Sequence, residues 1–199
     1  MLPTKSAIAG MCCAALGIAR GNAKEQSFLQ QFAVLRMTTI AIPRIVSRRW
    51  PGASSSALAV RRLQDYHTVQ NTRKAEGGLK DCHITYRQYL TDAAFGVVLE
   101  GGTDFVEQIA AAIADPKWGI WLGRKACLPT APILAGLSDT AEAAWKLLIG
   151  DEPLASFTRQ EEADIFAEGR DTLLDLPLCF ASDQRLFAPR RVNLIQGSS

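Results

Sequence analysis

The chain has 199 residues, of which 48% are hydrophobic and 21% charged, with a net charge of +2. This suits one large folded domain or two small ones and excludes a disordered or low-complexity chain. The longest apolar run (7–19) is shorter than the ~20 residues of a membrane span and lacks the basic start and cleavage site of a secretory signal.

Residues 3–21 ("PTKSAIAGMCCAALGIARG") read as a helix. Pro3 with Thr4 or Ser6 starts it, apolar residues recur at 8, 11, 12, 15 and 16, and Gly17 or Gly21 ends it. Its small residues suit close packing against a sheet. Cys12 and Cys13 behave here as small buried hydrophobes. Five cysteines (12, 13, 82, 127, 179) without a C-x-x-C, and two histidines without metal-ligand spacing, argue against a disulfide framework and a zinc site. We expect a cytoplasmic protein with reduced thiols, no metal and no cofactor.

Residues 32–42 are strand-like, and the Ser/Gly-rich 48–57 reads as a turn or link. A second strand candidate covers 58–69. Residues 70–80 ("QNTRKAEGGLK") break all periodicity, and 83–100 resume strand character with Phe95, Val97 and Leu99 on one side. A basic loop framed by two strand-like arms is a long hairpin, or thumb, too long for an ordinary tight turn. Residues 44–90 hold nine Lys/Arg against three acids, an excess of six positive charges, so the remainder carries a net −4. That asymmetry points to a polyanion reached by one face, with a solvated loop as the competing reading.

The clearest helix is 103–116, with Thr103 or Asp104 as cap, Asp104 and Glu107 as a capping-box variant, and a Phe105, Ile109, Ile113 stripe closed by Pro116. The loop 119–134 ("GIWLGRKACLPTAPIL") places Arg124 and Lys125 after Gly123 and before two prolines, as either a surface turn or a cradle for a polyanion. An acidic segment, 139–171, contains helical 139–150. The acids at 151–171 read as a solvated face rather than as metal ligands. Strand candidates 172–181 and 185–192 end the chain. The order is α+β, compatible with a ferredoxin-like (RRM-like) sheet covered by helices on one face.

His67 and His83 lie on the basic arms beside Tyr66, Lys80 and Tyr86. A metal-independent ribonuclease needs a base, an acid and a cation, and His67, His83, Tyr66 and Lys80 could supply them. Two histidines on a nucleic-acid face more often bind than cleave, and binding is the stronger reading. Tyr66, Tyr86 and Tyr89 interleave with Arg73, Lys74, Lys80 and Arg87, the cation-plus-aromatic chemistry of single-stranded RNA binding. No P-loop, G-x-S-x-G or paired-carboxylate pattern accompanies them.

Five stretches carry a resemblance: 2–20 ("LPTKSAIAGMCCAALGIAR"), 63–69 ("LQDYHTV"), 77–99 ("GGLKDCHITYRQYLTDAAFGVVL"), 121–134 ("WLGRKACLPTAPIL") and 176–192 ("LPLCFASDQRLFAPRRV"). In this order they resemble the CasD family, the subunit of type I-E CRISPR Cascade that holds the 5′ end of the guide RNA. The resemblance implies a RAMP fold: a ferredoxin-like core over 1–135, a thumb at about 66–90, and a C-terminal region, 136–199, completing or flanking the sheet.

It also implies a non-catalytic subunit that binds the 5′ handle of the crRNA, with a crRNA-processing endoribonuclease as the alternative. The implied partners are the backbone filament subunit, the large subunit and target DNA through the assembled complex, with no membrane. Pro3–Ser6 and Gly123–Lys125 would line the handle seat. The RNA-binding set is Lys5, Ser6, Tyr66, His67, Arg73, Lys74, Lys80, His83, Arg87, Gly123, Arg124 and Lys125. The helix N-terminus at Ser6 and the charge of Lys5 suit phosphate, and Arg124 can fork onto a phosphate or base edge.

Family members begin with a strand carrying a pattern like L-x-G-P-x-Q-[SA]-W-G, upstream of residue 1 here. The expectation is a displaced start, or a strand supplied by an upstream segment or another chain.

Overall fold

The computed structural model describes residues 2–46, 56–58 and 60–198. Most of the expected link 48–57, with Arg48 and Arg49, lies outside the described residues. The chain forms two compact units, 42–94 and the remainder, 1–41 with 95–199. The larger unit is therefore assembled from both ends of the chain.

Helix α1 (Lys5–Leu16) starts at Thr4, whose hydroxyl accepts from the Ala7 amide, and stops at Gly17 in the left-handed region (φ 70°). Ile18 N donates to Cys13 O (2.8 Å) and Gly17 N to Ala14 O (3.1 Å), the paired bonds of a Schellman stop. Ile8, Ala9, Cys12, Cys13 and Ala15 are buried. Burial pushes the Cys12 thiol up to about 12, and burial followed by the nearby Glu25 carboxylate does the same for Cys13.

A second helix, α2 (Ala23–Ala33), occupies residues where no element was expected, and it takes in 32–33 from the strand-like run. Asn22 caps it through the Lys24 amide. Its buried Glu25 turns its carboxylate onto the Phe180 amide (3.1 Å), joining α2 to the turn before the last strand. Phe28 and Phe32 enter the core.

Strand β1 (Arg36–Ile42) follows. In the smaller unit, β2 (Arg44–Val46) pairs antiparallel with β3 (Ser56–Leu58), and β4 (Arg61–Arg73) pairs antiparallel with β5 (Leu79–Thr91). The two arms reach further toward the tip than the expected loop 70–80 allowed, and the turn between them is tight. Lys74 N donates to Gly78 O and Gly77 N to Lys74 O, each at 3.1 Å. Gly77 and Gly78 both hold positive φ (82° and 88°), and a Cβ at either would meet nothing, so backbone conformation is what requires glycine there. The expected long strand 83–100 is broken by Asp92 (φ 59°), whose carboxylate pairs with Arg44.

Back in the larger unit, β6 (Ala94–Glu100) precedes α3 (Thr103–Ala114). The N-cap of α3 is Gly102, and no side chain caps it. Thr103 and Asp104 sit inside the first turn, where Asp104 meets the positive end of the helix dipole rather than closing a capping box. Helix α4 (Ala141–Ile149) is capped by Thr140. Strands β7 (Arg159–Glu162), β8 (Asp171–Cys179) and β9 (Leu186–Ile195) complete a five-stranded sheet in the order β6-β1-β7-β9-β8. In that order β6 and β8 are the edge strands.

One face of the sheet is covered by α1, α2 and α3. Ile8, Cys12, Phe28, Phe32 and Ile109 pack there with Met37, Val97 and Leu99. The alternation read at 97 and 99 points into this core. On the other face, a Cβ at Gly96 would lie 2.9 Å from Ile40 Cγ1 and 3.4 Å from Leu148 Cδ1, so α4 packs close there.

The strand that joins these parts is β7, "RQEE", four polar residues between β1 and β9. Its Glu162 is no member of a solvated acidic face. Lys5, 0% exposed, directs Nζ to Glu162 Oε1 (2.9 Å), Ala33 O (3.1 Å) and Leu35 O (2.6 Å). Glu162 Oε2 accepts from the Met37 amide (3.2 Å) and lies 3.7 Å from Arg190 Nη1. Arg190 Nε and Nη2 fork onto Asp175 (2.7 and 2.9 Å), and Asp175 Oδ2 accepts from the Lys5 backbone amide (2.8 Å). Burial draws the Lys5 pKa below its ordinary value, opposed by the bond to Glu162.

Breaking one member strands a buried charge, which costs about 3–5 kcal/mol. Lys5→Met is expected to lower Tm by roughly 6–20 °C in thermal denaturation. The thiols supply a second test. Cys12 and Cys13 keep their protons in the folded chain from 9.0 to about 12, whereas the unfolded chain loses them. Their contribution to stability is complete below pH 9 and falls as pH rises through that window. Lys5, with its lowered pKa, acts in the opposite sense up to 10.5. Stability-versus-pH curves are expected to fall less steeply above pH 9 in Cys12→Ala/Cys13→Ala. A thiol reagent is expected to label exposed Cys82 at once and this pair only on unfolding.

Candidate nucleic-acid interface

The residues expected to seat the handle at the start of α1 are largely committed to the protein itself. Pro3 is buried, and Lys5 is sealed inside against Glu162. Lys5 is therefore corrected from RNA ligand to structural cation: its three Nζ donors are used by two carbonyls and a carboxylate. The amide end of the helix is occupied as well. Asp175 takes the Lys5 amide and the Thr4 hydroxyl takes the Ala7 amide. A helix terminus that already holds a carboxylate does not offer the anion site expected of it. Exposed Thr4 and half-buried Ser6 contact each other through their hydroxyls at 3.1 Å.

The second expected stretch is presented differently. Lys117 N donates to Ala15 O (2.9 Å), attaching the loop after α3 to the C-terminal end of α1. That end is about 18 Å from Thr4 along the helix axis, at 1.5 Å per residue. Ile120 is buried and Leu122 packs against the core. Beyond them the chain turns back on itself. Leu122 N donates to Cys127 O (3.1 Å), and Cys127 N donates to Arg124 O (2.8 Å).

Gly123 stands at φ 80° with nothing within 4 Å of where a Cβ would be, so the turn needs glycine for its backbone and leaves open space over it. Gly123, Arg124 and Lys125 are exposed. The Lys125 ammonium sits 5.6 Å from the Trp121 ring centroid, a cation–π contact that the sequence did not signal.

On the β4–β5 hairpin the register decides which side chains share a face. Tyr66 stands opposite Tyr86, Gln64 opposite Gln88 and Thr68 opposite Ile84. The alternate face holds Leu63 opposite Tyr89, Asp65 opposite Arg87, His67 opposite Thr85 and Val69 opposite His83. His67, Lys80 and His83, with Arg73 and Lys74 near the tip, are exposed, and Arg87 is half-buried. Lys80 Nζ lies 3.4 Å from His83 Nδ1.

The set that a nuclease would need is not gathered. His67 and His83 share a face as diagonal neighbours, but Tyr66 belongs to the opposite one. Among the described residues no cluster of three or more His, Cys, Asp or Glu is placed to hold a metal ion, and no helix is long and apolar enough to cross a membrane. The five thiols are free.

The model of a family described as CRISPR-associated protein (Cas5) matches residues 1–193. The chain is 31% identical over 203 aligned positions to the CRISPR system Cascade subunit CasD of Escherichia coli (strain K12), covering 98% of this chain and 84% of that protein. A solved chain titled CRISPR RNA-guided surveillance complex superposes with a TM-score of 0.67 at 25% identity, covering 97% of this chain and 78% of the other. A second, titled Crystal structure of Cas protein, gives 0.63 at 25% identity, covering 98% and 85%.

Proposed function

Because the chain belongs to the Cas5 family of CRISPR-associated proteins, we infer that it is a non-catalytic subunit of a Cascade-type surveillance complex. In that role it binds the 5′ handle of the guide crRNA and caps the backbone filament beside the large subunit. The observation that supports this reading is the likeness to the Cascade subunit along nearly the whole chain. The exposed chemistry agrees with it. The RNA-binding groups are the loop Gly123–Lys125 in one unit and, in the other, the hairpin residues Tyr66, His67, Arg73, Lys74, Lys80, His83 and Arg87. Lys5 drops out of the set, and Ser6 keeps only a hydroxyl to offer. The 42–94 unit carries the thumb, and the other unit is the core on which the Gly123–Lys125 loop is built.

Cations that face solvent bind phosphates by displacing counterions, so affinity falls with salt in proportion to the phosphates neutralised. Arg124→Ala and Lys125→Ala are each expected to weaken binding of the crRNA handle and to reduce the salt slope by about one. Fluorescence anisotropy across a salt series measures both, and unchanged binding in both variants removes the loop from the site. For the endoribonuclease alternative, purified protein is incubated with repeat RNA without metal. Intact RNA is the expected result. Specific cleavage abolished by His67→Ala or His83→Ala would instead establish the enzyme.

A further inference from the structure

The two faces of the β4–β5 hairpin differ in a way that composition alone does not reveal. Within the paired strands the carboxylates are Asp65 and Asp81, and both alternate onto the face that carries His67 and His83. The opposite face has no carboxylate. At its centre Tyr66 and Tyr86 meet edge to face, with ring centroids 5.6 Å apart and an interplanar angle of 71°. The rings are not sheltered: Tyr66 is 57% exposed and Tyr86 63% exposed. Next to them Gln88 Nε2 donates to Gln64 Oε1 at 2.9 Å, holding a flat pair of amides across the strands.

We propose that the Tyr66–Tyr86 face of the hairpin is a stacking platform for unpaired bases of the guide RNA. This rests on the RNA-binding reading and adds which face of the hairpin meets the bases. Three properties of the face select that ligand. Exposed aromatic rings accept any base because every base has a π-face. The absence of carboxylates removes repulsion from the phosphates that accompany each base. The mutual edge-to-face contact and the amide pair beside it orient the rings, so little side-chain freedom is lost on stacking. The alternate face differs: its one tyrosine, Tyr89, is half-buried, and it mixes Asp65 and Asp81 with three groups suited to phosphate contact rather than to stacking, Arg87, His67 and His83.

The test uses the full chain and guide RNA carrying its 5′ handle, with 2-aminopurine substituted at successive handle positions. Stacking is worth about 1–3 kcal/mol per base, so Tyr66→Ala/Tyr86→Ala is expected to weaken RNA binding about tenfold or more. Tyr66→Phe/Tyr86→Phe keeps the rings and is expected to bind within about twofold of the natural chain, with the same salt slope because no charge changes. In the natural chain at least one 2-aminopurine is expected to be quenched on binding, and the quench is lost in the alanine pair.

Equal affinity and equal quenching in the alanine pair overturn the platform while leaving the RNA-binding reading intact. Loss of a partner subunit from the assembled complex with RNA affinity unchanged also overturns it, and assigns the face to protein. A natural chain that binds no guide RNA defeats the underlying reading and this proposal together.

Discussion

The ammonium of Lys5, closed off from solvent between two carbonyls and Glu162, is the contact on which the larger unit depends. A lysine without water is costly unless every donor is used and its charge is answered. Here the answer comes from a strand far along the chain, and Glu162 in turn holds the Met37 amide at the start of β1. Arg190 and Asp175 close the circuit by returning to the backbone of Lys5 itself. Helix α1, the passage from α2 into β1, and strands β7, β8 and β9 are thereby fixed against one another at a single point.

That circuit explains a strand which hydrophobic patterning does not. β7 stands between β1 and β9 with the sequence "RQEE" and no alternation of apolar residues. Its place is held by ladder bonds on both sides and by ion pairs through Glu162. Replacing a greasy contact with directional charge pairs favours one register, because a shift by one residue turns Glu162 to the other face of the sheet.

The same circuit decides where positive charge reaches the surface. By consuming Lys5 and by placing Asp175 at the amide end of α1, it neutralises the point where a phosphate would otherwise be drawn. Positive charge is instead presented where the backbone is exposed: on the tight turn at Gly123 and along the hairpin. The turns hold glycines at positive φ, and the two-stranded ribbon exposes its Tyr66–Tyr86 face while Asp65, Arg87 and Tyr89 on the other are half-buried.

Much of this was readable from residues alone. Thr4 and Gly17 bound α1, Phe105, Ile109 and Ile113 turn one stripe of α3 inward, and the last two strands lie close to where alternation put them. Caps, periodicity and turn glycines are local physics, and the ordered motifs carried the family. What stayed hidden depends on distance in sequence. Nothing near Lys5 announces Glu162, 157 positions away, so a cation that reads as a phosphate ligand becomes a core group only when the sheet closes. Helix α2 is weakly patterned and takes its place from Phe28, Phe32 and the bond from Phe180 to Glu25. The sequence by itself determined the α+β order, the thumb and the excess of positive charge within it. Only the tertiary structure decided which charges face water and which tyrosines share a face, because burial and register arise from pairing between segments that are strangers along the chain.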